Sequence, residues 1–197
     1  MMRYDFIKLI VGSLIGAVFL GFIAAPTAHA DNDATWALLK KPGHVVLLRH
    51  SNAPESPPDG DVKFNDCSTQ RNLDEAGRAQ ARRLGDEFRK HGIKAASLVS
   101  SQYCRAMETG KLMKLGAVRG LPALNQVFLA DVSGMRDAGE KGRQFIKTIS
   151  AHQLTVLVTH VTNIQSIAGA NLSSGELAVV HFDPSGSVVV DGSIKVP

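Results

Sequence analysis

The chain has 197 residues, a formal net charge of +4, 44% hydrophobic residues and two cysteines. That is enough for one domain with a real core and too little for two of ordinary size. The charge excess is too small for a nucleic-acid-binding stripe, and the sequence shows no internal repeat or low-complexity tract.

In chain order, Arg3 and Lys8 flank the apolar residues 9–25, and Ala28-His29-Ala30 follows as an A-x-A cleavage pattern. Residues 1–30 read as a secretory signal peptide. The alternative is an uncleaved anchor, because the apolar stretch is near the lower length limit for a membrane span. Removing Arg3, Asp5 and Lys8 with the signal leaves a 31–197 domain of net charge +3, periplasmic or secreted. Cys67 and Cys104 are expected to pair in that oxidising setting. Trp36, Leu38 and Leu39 read as a packing segment ahead of the first strand.

Val45-Val46-Leu47-Leu48 is an unbroken aliphatic run, the pattern of a strand buried on both faces of a parallel sheet. It stops on Arg49-His50. Open α/β sheets bind ligands beyond the carboxyl ends of their strands, so this pair is either delivered to a site or caps a solvated strand end. The proline-rich stretch 51–58 cannot continue the strand. Asp74 is a good helix N-cap, and Gly77, Ala81, Leu84 and Phe88 follow at helical spacing until His91-Gly92 closes the helix. Arg71, just before that helix, points either to the same cleft or to solvent.

A second strand around Leu98-Val99 runs into Ser100 and Ser101, expected as helix N-caps. Arg105 in the next turn would stand beside free backbone amides, an anion pocket. Residues 134–142 are glycine-rich and read as a mobile loop over the site, with Phe145 and Ile149 in a helix beyond it. A third strand, 155–159, ends in His160 and leads into a helical pattern at Ile164, Ile167 and Ala168. Residues 177–182 and 187–190 read as a hairpin on the sheet edge, joined by the turn Asp183-Pro184-Ser185-Gly186.

Strand ends thus supply Arg49, His50, Arg105 and His160, and two imidazoles with two guanidiniums suit the gripping of phosphate. The motifs Arg49-His50, Arg71-Asn72-Leu73-Asp74-Glu75-Ala76-Gly77, Ser101 to Arg105 and Thr159-His160 resemble, in order and spacing, those of the histidine phosphatase superfamily, also called phosphoglycerate mutase-like. The match covers nearly all of residues 31–197. Residues 67–80 and Ser174-Gly175-Glu176 are also similar to a small exported branch that includes lipopolysaccharide core heptose phosphatases.

The resemblance implies a three-layer α/β/α sandwich with a mostly parallel sheet. It also implies a monomeric, metal- and cofactor-independent phosphohydrolase acting on a small phosphorylated substrate. His50 would attack phosphorus while Arg49, Arg105 and His160 hold the charge on the phosphoryl oxygens, with Asn52, Arg71 and Val161 assisting in binding. Nearby guanidiniums should keep His50 neutral. A zinc or iron site on His50 and His160 is disfavoured, because two arginines in one pocket repel a cation.

The chain departs from the family pattern in three places. Ser51 stands where glycine often follows the Arg-His pair, Val161 follows the second histidine where some members carry Asp, and Gln126 stands where others carry glutamate. An amide cannot donate a proton to a leaving alkoxide. Asp131 is therefore the first candidate acid, with Glu108 and Glu176 behind it. Without an acid, acyl phosphates, phosphoramidates and anhydrides would be favoured over sugar phosphate esters, or the protein would be a phosphate-binding module.

Overall fold

In a computed structural model, residues 28–56 and 58–196 are described. Their elements are α1 (Ala28–Leu38), β1 (Val45–Arg49), α2 (Glu75–Lys90), β2 (Ser97–Ser100), α3 (Cys104–Met113), β3 (Val118–Gly120), α4 (Val132–Lys147), β4 (Thr155–Thr159), α5 (Val161–Ala168), β5 (Glu176–Phe182) and β6 (Val188–Lys195). The signal reading falls outside the described residues except for 28–30, which open α1.

One six-stranded sheet runs β3-β2-β4-β1-β5-β6. The first four strands are parallel, whereas β5 runs antiparallel to β1 and β6 antiparallel to β5. The sheet is therefore mixed and mostly parallel, as expected. The terminal hairpin β5–β6 lies at the sheet edge as expected, with β5 paired to β1 and β6 outermost.

Alternating β1 side chains feed two cores. Val46 and Leu48 pack with Trp36, Leu84, Phe88 and Met113 from α1, α2 and α3. Val45 and Leu47 face the other way, onto Ile146, Ile164 and Ile167 from α4 and α5. Both faces of the sheet are covered, which is why β1 carries no polar residue before its end.

Asp74 caps α2, its side chain accepting from the Gly77 amide at 2.6 Å, and Gly92 leaves the helix at φ +81°. Gly77 has a second role, because a Cβ there would stand 2.0 Å from the Asn52 carbonyl oxygen. The start of α2 is thereby pressed against the loop that follows His50. The expected mobile loop at 134–142 is instead the first half of α4. Asp131 caps that helix, and Gly139 and Gly142 lie against Ser166 and Ile167, where a Cβ would come within 2.5 Å. Those glycines let two helices touch; they are not hinges.

Candidate active site

Parallel register gathers the site. Arg49 lies opposite Thr159 and Ser100 opposite Val158, so the next residues along each strand, His50, His160 and Ser101, leave the sheet side by side. The ladder continues one step further, through His50 N–H to Thr159 O at 3.0 Å and Ser101 N–H to Val158 O at 2.8 Å. The two imidazoles stand 5.1 Å apart between ring centroids. Tyr103 packs edge-on against His160 at 5.0 Å and carries the Arg105 guanidinium on its face at 4.5 Å.

His50 is 3% exposed, His160 2% and Arg105 fully enclosed. His50 Nδ1 lies 2.8 Å from the Ser51 carbonyl. A carbonyl only accepts, so Nδ1 carries the proton and Nε2 keeps its lone pair. Burial first, and then Arg105, push the His50 pKa down to about 3, with smaller contributions from Arg49 and Arg71; the Ser51 bond opposes them. The expected neutral imidazole is there, but dehydration outweighs the guanidiniums as its cause. Burial likewise holds His160 well below the ordinary histidine range, with His50 and the arginines adding to it.

Ser100 and Ser101 do not cap α3, contrary to expectation. Tyr103 occupies the N-cap without a side-chain bond. The Ser101 hydroxyl is engaged by His160 Nε2 at 2.8 Å, and Ser100 Oγ donates to the Ser101 carbonyl. Thr109, one turn into α3, holds the loop instead, accepting from the Ser51 amide at 3.0 Å.

Arg105 uses its fork on Asp59, with Nη1 to Oδ1 at 3.0 Å and Nη2 to Oδ2 at 3.2 Å, and also donates to Gln126 Oε1. Asp59 was invisible to sequence reasoning, since it sits in a proline-rich loop with no periodicity. Its third bond, from the Arg71 amide at 2.8 Å, brings Arg71 to the cluster. Arg71 depresses the proton affinity of Arg49, His50, Arg105 and His160 through charge, so it faces the cleft. Arg49 donates through Nη1 to the Leu172 carbonyl at 2.8 Å. Four buried polar atoms of the cluster, Arg49 Nε, Ser51 Oγ, Arg105 Nε and His160 Nδ1, have no hydrogen-bond partner among the described residues. Such atoms are costly in a dry interior and mark a place suited to a polar ligand.

Three assignments change. Asp131 is an exposed helix cap whose Oδ1 accepts from Gly134 N and Ser133 Oγ, and these bonds lower its pKa, the wrong direction for a proton donor. The Asn52 side chain is exposed and turned to Asp74 at 3.4 Å, where it supports the α2 cap. Glu108 is taken by Arg78 at 2.7 Å. Val161 opens α5, so its amide is one of the free donors at that helix N-terminus, beside His160. Cys67 and Cys104 are bonded, with Cα atoms 5.7 Å apart, and the bridge ties the α3 start, next to Arg105, to the loop ahead of α2.

A cavity of about 570 Å³ opens onto Asp59, Arg71, Tyr103 and Gln126, with Glu55 and Phe128 on its walls. A cavity of about 620 Å³ lies beside the disulfide, lined by Phe64, Arg78, Met107 and Glu108; neither cavity is lined by a histidine, and of the two it is the first that reaches the cluster, through Asp59, Arg71 and Tyr103. The first is the one that the site's chemistry can use.

No curated protein matches the chain. Among solved structures it is similar to the protein histidine phosphatase SixA complexed with tungstate, at 16% identity and a TM-score of 0.55, covering 77% of this chain and 96% of that one. It is also similar to a mycobacterial glucosyl-3-phosphoglycerate phosphatase, at 16% identity and a TM-score of 0.57, covering 75% and 96%. A third is a phosphoserine phosphatase from Entamoeba histolytica, at 12% identity and a TM-score of 0.57, covering 78% and 97%. Those likenesses establish the fold. The model of the histidine phosphatase superfamily (branch 1) matches residues 45–156, more than half of the chain, and with the strand-end cluster in place the chain belongs to that superfamily.

Proposed function

We propose that the protein is an exported phosphohydrolase in which His50 Nε2 attacks the phosphorus of a small phosphate monoester. The N–P bond forms as the P–O bond breaks, and the leaving oxygen departs with its electron pair. Water then attacks phosphorus, releasing inorganic phosphate and restoring the imidazole. Arg49, Arg105 and His160 hold the charge on the equatorial oxygens, and the Val161 amide is available to one of them. The observation that carries this reading is a buried, neutral His50, its Nδ1 proton held by a carbonyl, inside a ring of guanidiniums.

Asp59 supplies the missing acid. It rests on Arg105 as a carboxylate, and an incoming phosphoryl group competes for that fork. Freed from that fork, the carboxyl stands beside the phosphoryl group and is the group proposed to protonate the leaving oxygen. The cavity beyond it offers Glu55 and Asp59 to hydroxyl groups and Tyr103 and Phe128 to an apolar ring face, a combination suited to a sugar phosphate of the envelope. Export is supported by the signal pattern at 1–30 and by the Cys67–Cys104 bridge, a bond typical of oxidising compartments.

The test is hydrolysis of para-nitrophenyl phosphate by the isolated protein in EDTA, beside His50→Ala. Turnover that survives chelation and disappears in the variant supports the histidine mechanism. A folded wild-type protein without turnover refutes it and leaves the phosphate-binding module.

A further inference from the structure

At the far end of β1 the same sheet holds a second pair of histidines. His44 immediately precedes β1, and His181 lies in β5. The β1–β5 ladder pairs Val45 with Val180, so the next step outward sets His44 beside His181, with ring centroids 5.7 Å apart. The third member comes from an irregularity. In the β5–β6 ladder Val179 pairs with Gly192 and Val180 with Val190, which leaves Asp191 as the extra residue of a β-bulge. Bulges re-aim side chains, and this one delivers the Asp191 carboxylate to both rings. Its Oδ2 lies 2.7 Å from His181 Nδ1 and 3.6 Å from His44 Nε2.

One donor atom from each residue fits within 4.8 Å of the others. The side chains are 14%, 34% and 19% exposed for His44, His181 and Asp191, so the site is shielded yet reachable from solvent. His44 Nδ1 is buried without a hydrogen-bond partner among the described residues, and its Nε2 is beyond hydrogen-bond range of Asp191. Asp191 thus does not hold His44 Nε2 by a hydrogen bond, and that nitrogen can turn its lone pair to a cation.

We propose that His44, His181 and Asp191 bind a divalent transition-metal ion, with Zn²⁺ the best fit. Two neutral imidazoles and one carboxylate are the donor set of a borderline ion; Mg²⁺ and Ca²⁺ require more oxygens. Tetrahedral coordination at ~2.0 Å spaces donors ~3.3 Å apart, so the three side chains need only small rotations to close on an ion. Water takes the remaining position. The six residue steps from His44 to His50 span roughly 20 Å of extended chain, which puts the ion away from the phosphoryl chemistry. The ion clamps the edge strand β6 and its neighbour β5 to the central strand β1.

The test is Zn²⁺ uptake by the full-length chain, purified without a histidine tag, stripped with chelator and titrated against a chromophoric competitor. One equivalent per chain is expected, with Tm raised by about 5 °C or more at saturating Zn²⁺. His181→Ala and Asp191→Ala should each weaken that equivalent by ~100-fold or more, while His50→Ala keeps it. Co²⁺ in place of Zn²⁺ should give visible d–d absorption that the Asp191 variant lacks. A wild-type chain that takes up no equivalent overturns the proposal, whatever the variants do. So does uptake that is unchanged in Asp191→Ala, or that is lost in His50→Ala instead.

Discussion

His50 and His160 stand at one end of the sheet's strands, and His44 and His181 at the other, yet the two pairs are suited to opposite tasks. The first pair is enclosed among Arg49, Arg71 and Arg105. The second is partly open around Asp191. Burial first, and then the guanidiniums, keep a proton off His50, and the same positive charge repels a metal ion but welcomes an anion, so the lone pair stays available for phosphorus. A carboxylate does the reverse, adding the negative charge that a cation needs. The ring is the same; its neighbours choose the chemistry.

The sharpest way to break this contrast is to delete one ring from each pair. His50→Ala should lower kcat for para-nitrophenyl phosphate by ~10³-fold or more, the scale of losing a nucleophile, whereas His181→Ala should stay within about twofold of wild type. Equal losses would mean that the two ends are not independent. Next in size is the bridge that braces Arg105. Its 37-residue separation predicts that Cys67→Ala with Cys104→Ala costs about 4 kcal/mol in urea unfolding, on the chain-entropy account. A cost under about 1 kcal/mol would show that the α3 start is held by packing alone.

Asp59 tests the anion side of the contrast more finely. Asp59→Asn should slow hydrolysis of alkyl and sugar phosphates by ~10²-fold while leaving the nitrophenyl ester nearly untouched, because only poor leaving groups need a proton. Uniform slowing of both classes would remove Asp59 from the acid role. The smallest effect concerns pH and stability. His50 titrates near 6.5 when unfolded and near 3 when folded. The unfolded chain therefore takes up a proton first, and stability is lost as pH falls from about 6.5 toward 3, by roughly 1 kcal/mol per pH unit for this group. His50→Gln should flatten that slope by about one proton in urea titrations at pH 7, 6 and 5.

Sequence patterns reveal the phosphate end better than the other, for a reason of topology. Parallel strands deliver their carboxyl ends to one edge, so Arg49-His50, Ser101 to Arg105 and Thr159-His160 announce a shared site as soon as β1, β2 and β4 are recognised. Asp74 and Gly92 likewise declare a helix through local chemistry. The failures come where one residue type serves two purposes. Ser101 looks like a cap but is held by His160, Asp131 looks like an acid but is a cap, and Gly139 and Gly142 look mobile but let α4 meet α5. Asp59 depends on a loop path that has no period. Asp191 depends on a register break between two antiparallel strands, which no local pattern foretells.

That register break also bears on how molecules of this protein meet one another. An open sheet exposes two rows of unpaired backbone groups, and a long flat edge invites a second copy to extend it. Here one outer strand, β3, is only three residues long, and the other, β6, is kinked by its bulge and ends on the exposed Lys195. Neither side presents the long, straight template that favours edge-to-edge pairing.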